Sequence, residues 1–208
     1  MNIWNRFATS VMLGGTLTVP LFAGDEAKKT WTFDDEQIGV IAKGFTNEVG
    51  EWKVAETPEG KVLAQTAKNP NSVFNVALAA DTNAKDVDIS VRMKAIAGEY
   101  DQGGGLVWRA KDAQNYYVAR NNPRGSGSYN VYKVVDGKRS MLKGAPLPPT
   151  KGWHTLRVTM KGDHIECYYD GTKYLEVNDS TFTEAGKIGL WSKSDAQSHF
   201  DNLMLTDP

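Results

Sequence analysis

The sequence predicts an all-β fold, an antiparallel jelly-roll β-sandwich. Three observations carry that expectation: apolar residues recur with a period of two, Asp-Gly and Gly-Asp pairs separate the alternating runs, and no amphipathic helix of ten or more residues follows the N-terminal segment. Val87, Ile89, Val91, Met93 and Ala95 alternate with Asp88, Ser90, Arg92 and Lys94, which is the pattern of a strand with one dry face. Leu156, Val158 and Met160 form the same pattern, as do Ile165, Cys167 and Tyr169. Gly162-Asp163 and Asp170-Gly171 join these runs to a third, so Trp153 to Val177 reads as a three-strand meander. Asp136-Gly137 marks another tight hairpin, after Tyr129–Val135, because Asp-Gly supplies the positive φ angles such turns require. Further strand-like runs are 30–33, 52–55, 62–66, 73–78, 105–109, 116–121, 173–177, 187–191 and 199–205.

Residues 1–23 have a different character. They carry Arg6, no acidic residue and a mostly apolar run from Val11 to Ala23, the profile of a secretory signal peptide cut after Ala23. That leaves 24–208 as one domain, placed in the periplasm or secreted. No apolar stretch after the signal is long enough to span a bilayer. With 24 Lys+Arg against 25 Asp+Glu and no basic cluster, the chain is not expected to bind nucleic acid. One cysteine, Cys167, excludes an internal disulfide and a thiolate metal site; its alternation with Ile165 and Tyr169 reads as an inert buried thiol.

Two segments carry a family resemblance. One runs Gly103-Gly104-Gly105-Leu106-Val107-Trp108-Arg109 through Asn115-Tyr116-Tyr117-Val118-Ala119-Arg120. The other runs Trp153-His154-Thr155-Leu156-Arg157-Val158, then Gly162 to Gly171, then Gly186-Lys187-Ile188-Gly189-Leu190-Trp191 and Phe200-Asp201-Asn202-Leu203. Together they resemble the concanavalin A-like, laminin G-like β-sandwich superfamily, and within it the bacterial secreted 3-keto-disaccharide hydrolase domains. The resemblance implies a ligand surface on a concave sheet with Arg109 at the end of the Gly-rich strand. Hydrolase-like members carry Glu and Gln on the next strand, where this chain has Val118 and Arg120. It also implies a possible structural Ca²⁺ between the first and last strands, near Asp34, Asp35 and Asp201, and no other cofactor.

Strand alternation puts Val107 and Arg109 on one face, with Leu106 and Trp108 on the other. Trp108 is assigned to the core. Tyr116, Val118 and Arg120 share a face. Arg109, Arg120, Tyr132 and Trp191 are therefore the candidate carbohydrate-binding residues: rings stack on a pyranose and guanidinium groups donate to hydroxyls in a fixed fork. The competing reading makes the same arginines structural. The Glu-x-Asp-x-x-Glu triplet of the laminarinase-type glucanases does not occur, and Glu166 with Asp170 is a strand edge plus a turn. His154, His164 and His199 have no evident partner, so no catalytic residue is named. Two functions follow: a non-catalytic or weakly catalytic carbohydrate-binding domain, or an enzyme that cleaves 3-keto-glycosides.

Overall fold

The computed structural model describes residues 27–206, so the expected signal peptide lies outside the described residues. The chain forms β1 (Ala27–Trp31), β2 (Phe45–Val49), β3 (Trp52–Thr57), β4 (Gly60–Gln65), β5 (Phe74–Ala79), β6 (Val87–Ala97), β7 (Gly104–Asp112) and β8 (Asn115–Asn122). It continues with β9 (Ser128–Val135), β10 (Lys138–Pro146), β11 (Trp153–Lys161), β12 (His164–Tyr169), β13 (Thr172–Asn178), β14 (Lys187–Lys193) and β15 (Gln197–Thr206). The first sheet has the order β13-β12-β11-β6-β15-β4-β3, with β1 also paired to β15; the second has the order β10-β9-β8-β7-β14-β5-β2. Every paired neighbour is antiparallel. This is the expected jelly-roll sandwich, and β11-β12-β13 is the expected meander. Asp136 and Gly137 take φ of 48° and 74°, and Asp170 and Gly171 take 47° and 80°, as the hairpin argument requires. The period-two reading leaves out β2, whose Phe-Thr-Asn-Glu-Val buries only Phe45.

Between the sheets lies one apolar core. Val87, Ile89, Val91 and Met93 of β6 meet Leu106, Trp108, Tyr117 and Ala119 of the second sheet. Trp108 is fully buried, stacks on Tyr117 at 5.5 Å and donates its indole N–H to Met160 Sδ at 3.1 Å. Cys167 is buried in the same layer, and burial pushes its thiol well above the ordinary range. At one end, polar side chains stitch the sheets together. Gln65 Nε2 donates to Ser192 Oγ (3.0 Å), and Asn75 Nδ2 donates to the same oxygen (3.0 Å). Burying these groups is tolerable because their donors are bonded.

The second sheet is unusual in burying its outer face as well. Val76, Leu78, Val107, Tyr116, Val118, Tyr132, Val134 and Trp191 form a second apolar cluster there. Its edge strand β10 is largely exposed, carries a register shift between Met141 and Lys143, and ends in Pro146.

Two expected outcomes follow from this packing. A Cβ on Gly104 would lie 2.5 Å from Phe200 Cζ and 2.7 Å from the Trp191 carbonyl oxygen. Gly104→Ala should therefore cost about 1–3 kcal/mol through overpacking; an unchanged calorimetric melting temperature would refute this account of the contact. Asp179 accepts from Tyr117 Oη (2.6 Å), Lys133 Nζ (2.8 Å) and the Thr181 amide (2.9 Å). Burial raises its carboxyl, but these donors outweigh burial and hold it at about 2 against an ordinary 3.8. A depressed folded-state pKa means stability that is present above 3.8 and lost as pH falls toward about 2. Melting temperature should drop across that window, and Asp179→Asn should flatten the drop; an identical acid limb in the variant would contradict the assignment.

Candidate ligand site on the outer face of the second sheet

Register builds the site. Trp191 pairs with Gly105, Gly105 with Arg120, and Arg120 with Asn130, so these residues form one row across β14, β7, β8 and β9. Along this row the Arg120 guanidinium lies over Trp191, 5.5 Å from the ring centroid. Trp191 itself is fully buried, with its indole N–H donated to Tyr116 Oη at 3.0 Å. Phe74 packs on Trp191 at 5.4 Å. Above these rings lies Arg139 from β10, its guanidinium 4.3 Å from Tyr132, 5.2 Å from Phe74 and 5.7 Å from Trp191. Each such contact is worth roughly 0.5–2 kcal/mol, more where water is excluded.

The loop between β6 and β7 supplies the carboxylate. Asp195 accepts the backbone N–H groups of Glu99 (2.6 Å), Tyr100 (3.1 Å) and Asp101 (3.0 Å), which fixes the loop. Asp101 is then held against the sheet, where one carboxylate oxygen pairs with Arg120 and the other with Lys193 Nζ at 2.9 Å. Arg120 also donates to the Gln102 carbonyl at 3.1 Å. Burial, and then the like charge of Arg139, push Arg120 down to about 10. Lys193 is also lowered, first by burial and then by Arg120 and Arg139. A cleft of about 680 Å³ borders this corner, lined by Asn69, Asn71, Gly98, Tyr100 and Asp195 among others. Lys193 also bonds the Asn71 side chain, which links the charged corner to that cleft.

Three of the four expected ligand residues thus lie on one face: Arg120, Tyr132 and Trp191. They are not an open floor. Trp191 and Tyr132 are buried, and Arg139 lies across both. Arg109 is elsewhere. It sits in a register shift between Trp108 and Asp112 with φ of 46°, so it leaves the face that Val107 occupies. Its side chain is buried at the end of the sandwich, bonded to the carbonyls of Lys85 (2.5 Å), Phe182 (2.7 Å) and Gly162 (2.7 Å) and to Asp86 Oδ1 (3.3 Å). The expectation that Arg109 faces a ligand is corrected accordingly: its donors are spent joining three loops. Sequence reading also passed over Asp101, Lys193 and Arg139. Arg139 had a usable signal, because a two-residue Asp136-Gly137 turn pairs it with Val134 and so puts it beside Tyr132.

The histidines also depart from expectation. His154 is partnered: Nδ1 lies 2.7 Å from Asp170 Oδ2, Nε2 lies 2.8 Å from Thr150 Oγ1, and the ring stacks on Tyr169 at 4.9 Å. Thr150 lines a second cleft of about 520 Å³ with Gln102 and Pro123. His164 lies with Glu166 and Glu176, their ligand atoms within 4.8 Å of one another. Lys173 already bridges both glutamates at 2.8 and 2.7 Å, and holds Glu166 down to about 2. Asp34 and Asp201 come close at the other sheet. Burial raises the Asp201 carboxyl and the charge of Asp34 adds to it, while Arg92 Nη1 stands 3.4 Å from Asp201 Oδ2. Two carboxylates with a guanidinium on one of them fit poorly an ion that takes roughly six to eight oxygens.

Arg109→Ala should melt early, by about 3 kcal/mol or more, since it strands three carbonyls and Asp86. Ligand affinity of the folded fraction should not change. A melting temperature equal to wild type would remove its structural role.

Several solved structures share this fold. The carbohydrate binding module CBM66 from Bacillus subtilis superposes with a TM-score of 0.68 at 23% identity, covering 83% of this chain and 99% of that one. The GH43 BlXynB protein from Bacillus licheniformis gives 0.62 at 13%, covering 86% of this chain and 39% of that one. The GH16 of the Bacteroides ovatus mixed linkage glucan PUL gives 0.61 at 8%, covering 85% and 99%. These likenesses establish the fold. No curated protein matches in sequence. A family model matches residues 19–206, which takes in the whole described sandwich, and on that match the chain belongs to the 3-keto-alpha-glucoside-1,2-lyase-like domain family.

Proposed function

We propose that this domain is an extracytoplasmic glycan-binding module whose ligand surface is the outer face of the second sheet. The observation that carries this reading is the outer face of β8. It presents Val118 and Arg120, not a free carboxylate, to the aromatic cluster. Asp101, held there, has both oxygens committed to Arg120 and Lys193, and Asp195 is spent on the backbone N–H groups of the loop. Acid/base chemistry needs a proton acceptor with a free lone pair near the scissile bond, and neither of these two acids offers one. Aromatic rings and fixed guanidinium donors suit recognition instead. The likeness to a carbohydrate binding module supports a glycan ligand. The basic, then apolar, start of the chain supports export.

A second reading is favoured by His154. The family name describes a 1,2-elimination from a 3-keto-glucoside. There a base takes the C2 proton, acidified by the C3 ketone; its electron pair forms the C1=C2 double bond, and the C1–O bond breaks with protonation of the leaving oxygen. His154, held through Nδ1 by Asp170 and joined through Nε2 to Thr150 of the second cleft, would act as that base once Thr150 yields Nε2 to the substrate. One experiment separates the two. The mature protein is titrated with neutral disaccharides and their 3-keto forms, following binding by calorimetry and products by NMR. Binding without turnover is expected. Turnover abolished in His154→Gln, at unchanged melting temperature, would replace the binding-module reading with the lyase.

A further inference from the structure

The charged corner beside Trp191 holds more positive charge than its own carboxylates answer. Arg120 and Lys193 share Asp101, and Arg120 and Arg139 both lie over Trp191; burial first, and then the two guanidinium charges, lower the Lys193 ammonium. Against these three cations stand two acids. Asp101 is divided between Arg120 and Lys193. Asp195 is spent on the backbone N–H groups of the β6–β7 loop. Arg139 has no ion pair among the described residues; its partners are the faces of three rings.

Two donors are also left without an acceptor. Arg120 Nε and Arg139 Nη1 are buried and unbonded. The Arg120 side chain is 5% exposed. An unpaired donor on a desolvated cation is costly. A structural arginine is normally satisfied, as Arg109 is, with carbonyls and a carboxylate on three of its nitrogens. The contrast within one chain is direct: one buried arginine is fully used, and another keeps a donor in reserve beside a second guanidinium.

We propose that this corner binds an anionic substituent of a sugar, a carboxylate or a sulfate ester, between Arg120 and Arg139. Arg120 is the fixed half of the clamp, anchored by Asp101 and the Gln102 carbonyl. Arg139 is the movable half, itself only partly buried and carried on the largely exposed edge strand β10. Turning its side chain toward the anion uncovers Tyr132 and Phe74, so charge capture and ring stacking occur in one step. A guanidinium fork matches two oxygens of either anion. This rests on the glycan reading above and narrows it to acidic glycans.

The test uses one galactose trisaccharide in three forms: neutral, with C6 oxidised to the carboxylate, and with a 6-O-sulfate. Sodium sulfate serves as the anion without a sugar. Calorimetric titration should show at least one acidic form binding tenfold or more tightly than the neutral one, and that preference should shrink as sodium chloride rises. Which acid wins distinguishes uronate from sulfate ester. Arg139→Gln and Lys193→Gln should each remove most of the preference, with affinity read on the folded fraction because each variant also gives up a stabilising contact with the rings or with Asp101, and Arg139→Lys should restore part of it. Equal binding of all three forms would overturn the anion site and leave the glycan reading standing. Sulfate bound through Arg139 with no trisaccharide bound would do the reverse. No binding of any probe would overturn both.

Discussion

The second sheet is dry on both faces, and most of the architecture answers to that constraint. A sandwich of two sheets ordinarily buries one face of each and wets the other. Here β5, β7, β8 and β14 are buried along nearly their whole length, because Arg139, Phe74 and the loop around Asp101 cover the outer side. A second apolar layer enlarges the area removed from water, at about 25 cal/mol per Å². That extra layer matters in a chain with a single cysteine, which has no disulfide to restrict its unfolded ensemble. It also creates the only kind of place where aromatic rings, guanidinium groups and a carboxylate are held together at low dielectric, where each charge interaction is stronger than in water.

The first sheet was legible from sequence because it obeys the rule that was read. β6, β11 and β12 alternate buried and wet residues, and the Gly-Asp and Asp-Gly turns set their order. In the second sheet alternation still assigned Arg120 and Trp191 to the right face, since a strand's period does not depend on what covers it. Exposure was not legible, because what buries Trp191 comes from β5, β8 and β10, far away in the chain. Arg109 failed for a local reason: one residue in a left-handed conformation inside β7 reverses the side chains beyond it. Nothing in the sequence around Ala110 announces that shift. Asp101 and His154 depended on tertiary contact entirely, the first through a loop clamped by Asp195 and the second through a hairpin acid sixteen residues away.

The two arginines on β7 and β8 show how one residue type serves opposite ends. Arg109 replaces chain-chain hydrogen bonds where three loops converge, and its donors are matched by acceptors. Arg120 packs over the Trp191 indole and keeps Nε unbonded. Burial alone does not separate structure from function here, since both side chains are almost fully enclosed. The accounting of donors and acceptors does.

Strand β10 carries a consequence for how the molecule keeps to itself. It is the outermost strand of its sheet, so among the described residues one side of its backbone has no pairing partner. An open edge of this kind templates the addition of another strand, and sandwiches that leave it flat polymerise. Lys138, Arg139 and Lys143 charge this rim, the shift between Met141 and Lys143 bends it, and Pro146 removes a backbone donor at its end. The side chain proposed to meet a ligand is thus also part of the guard against edge-to-edge aggregation.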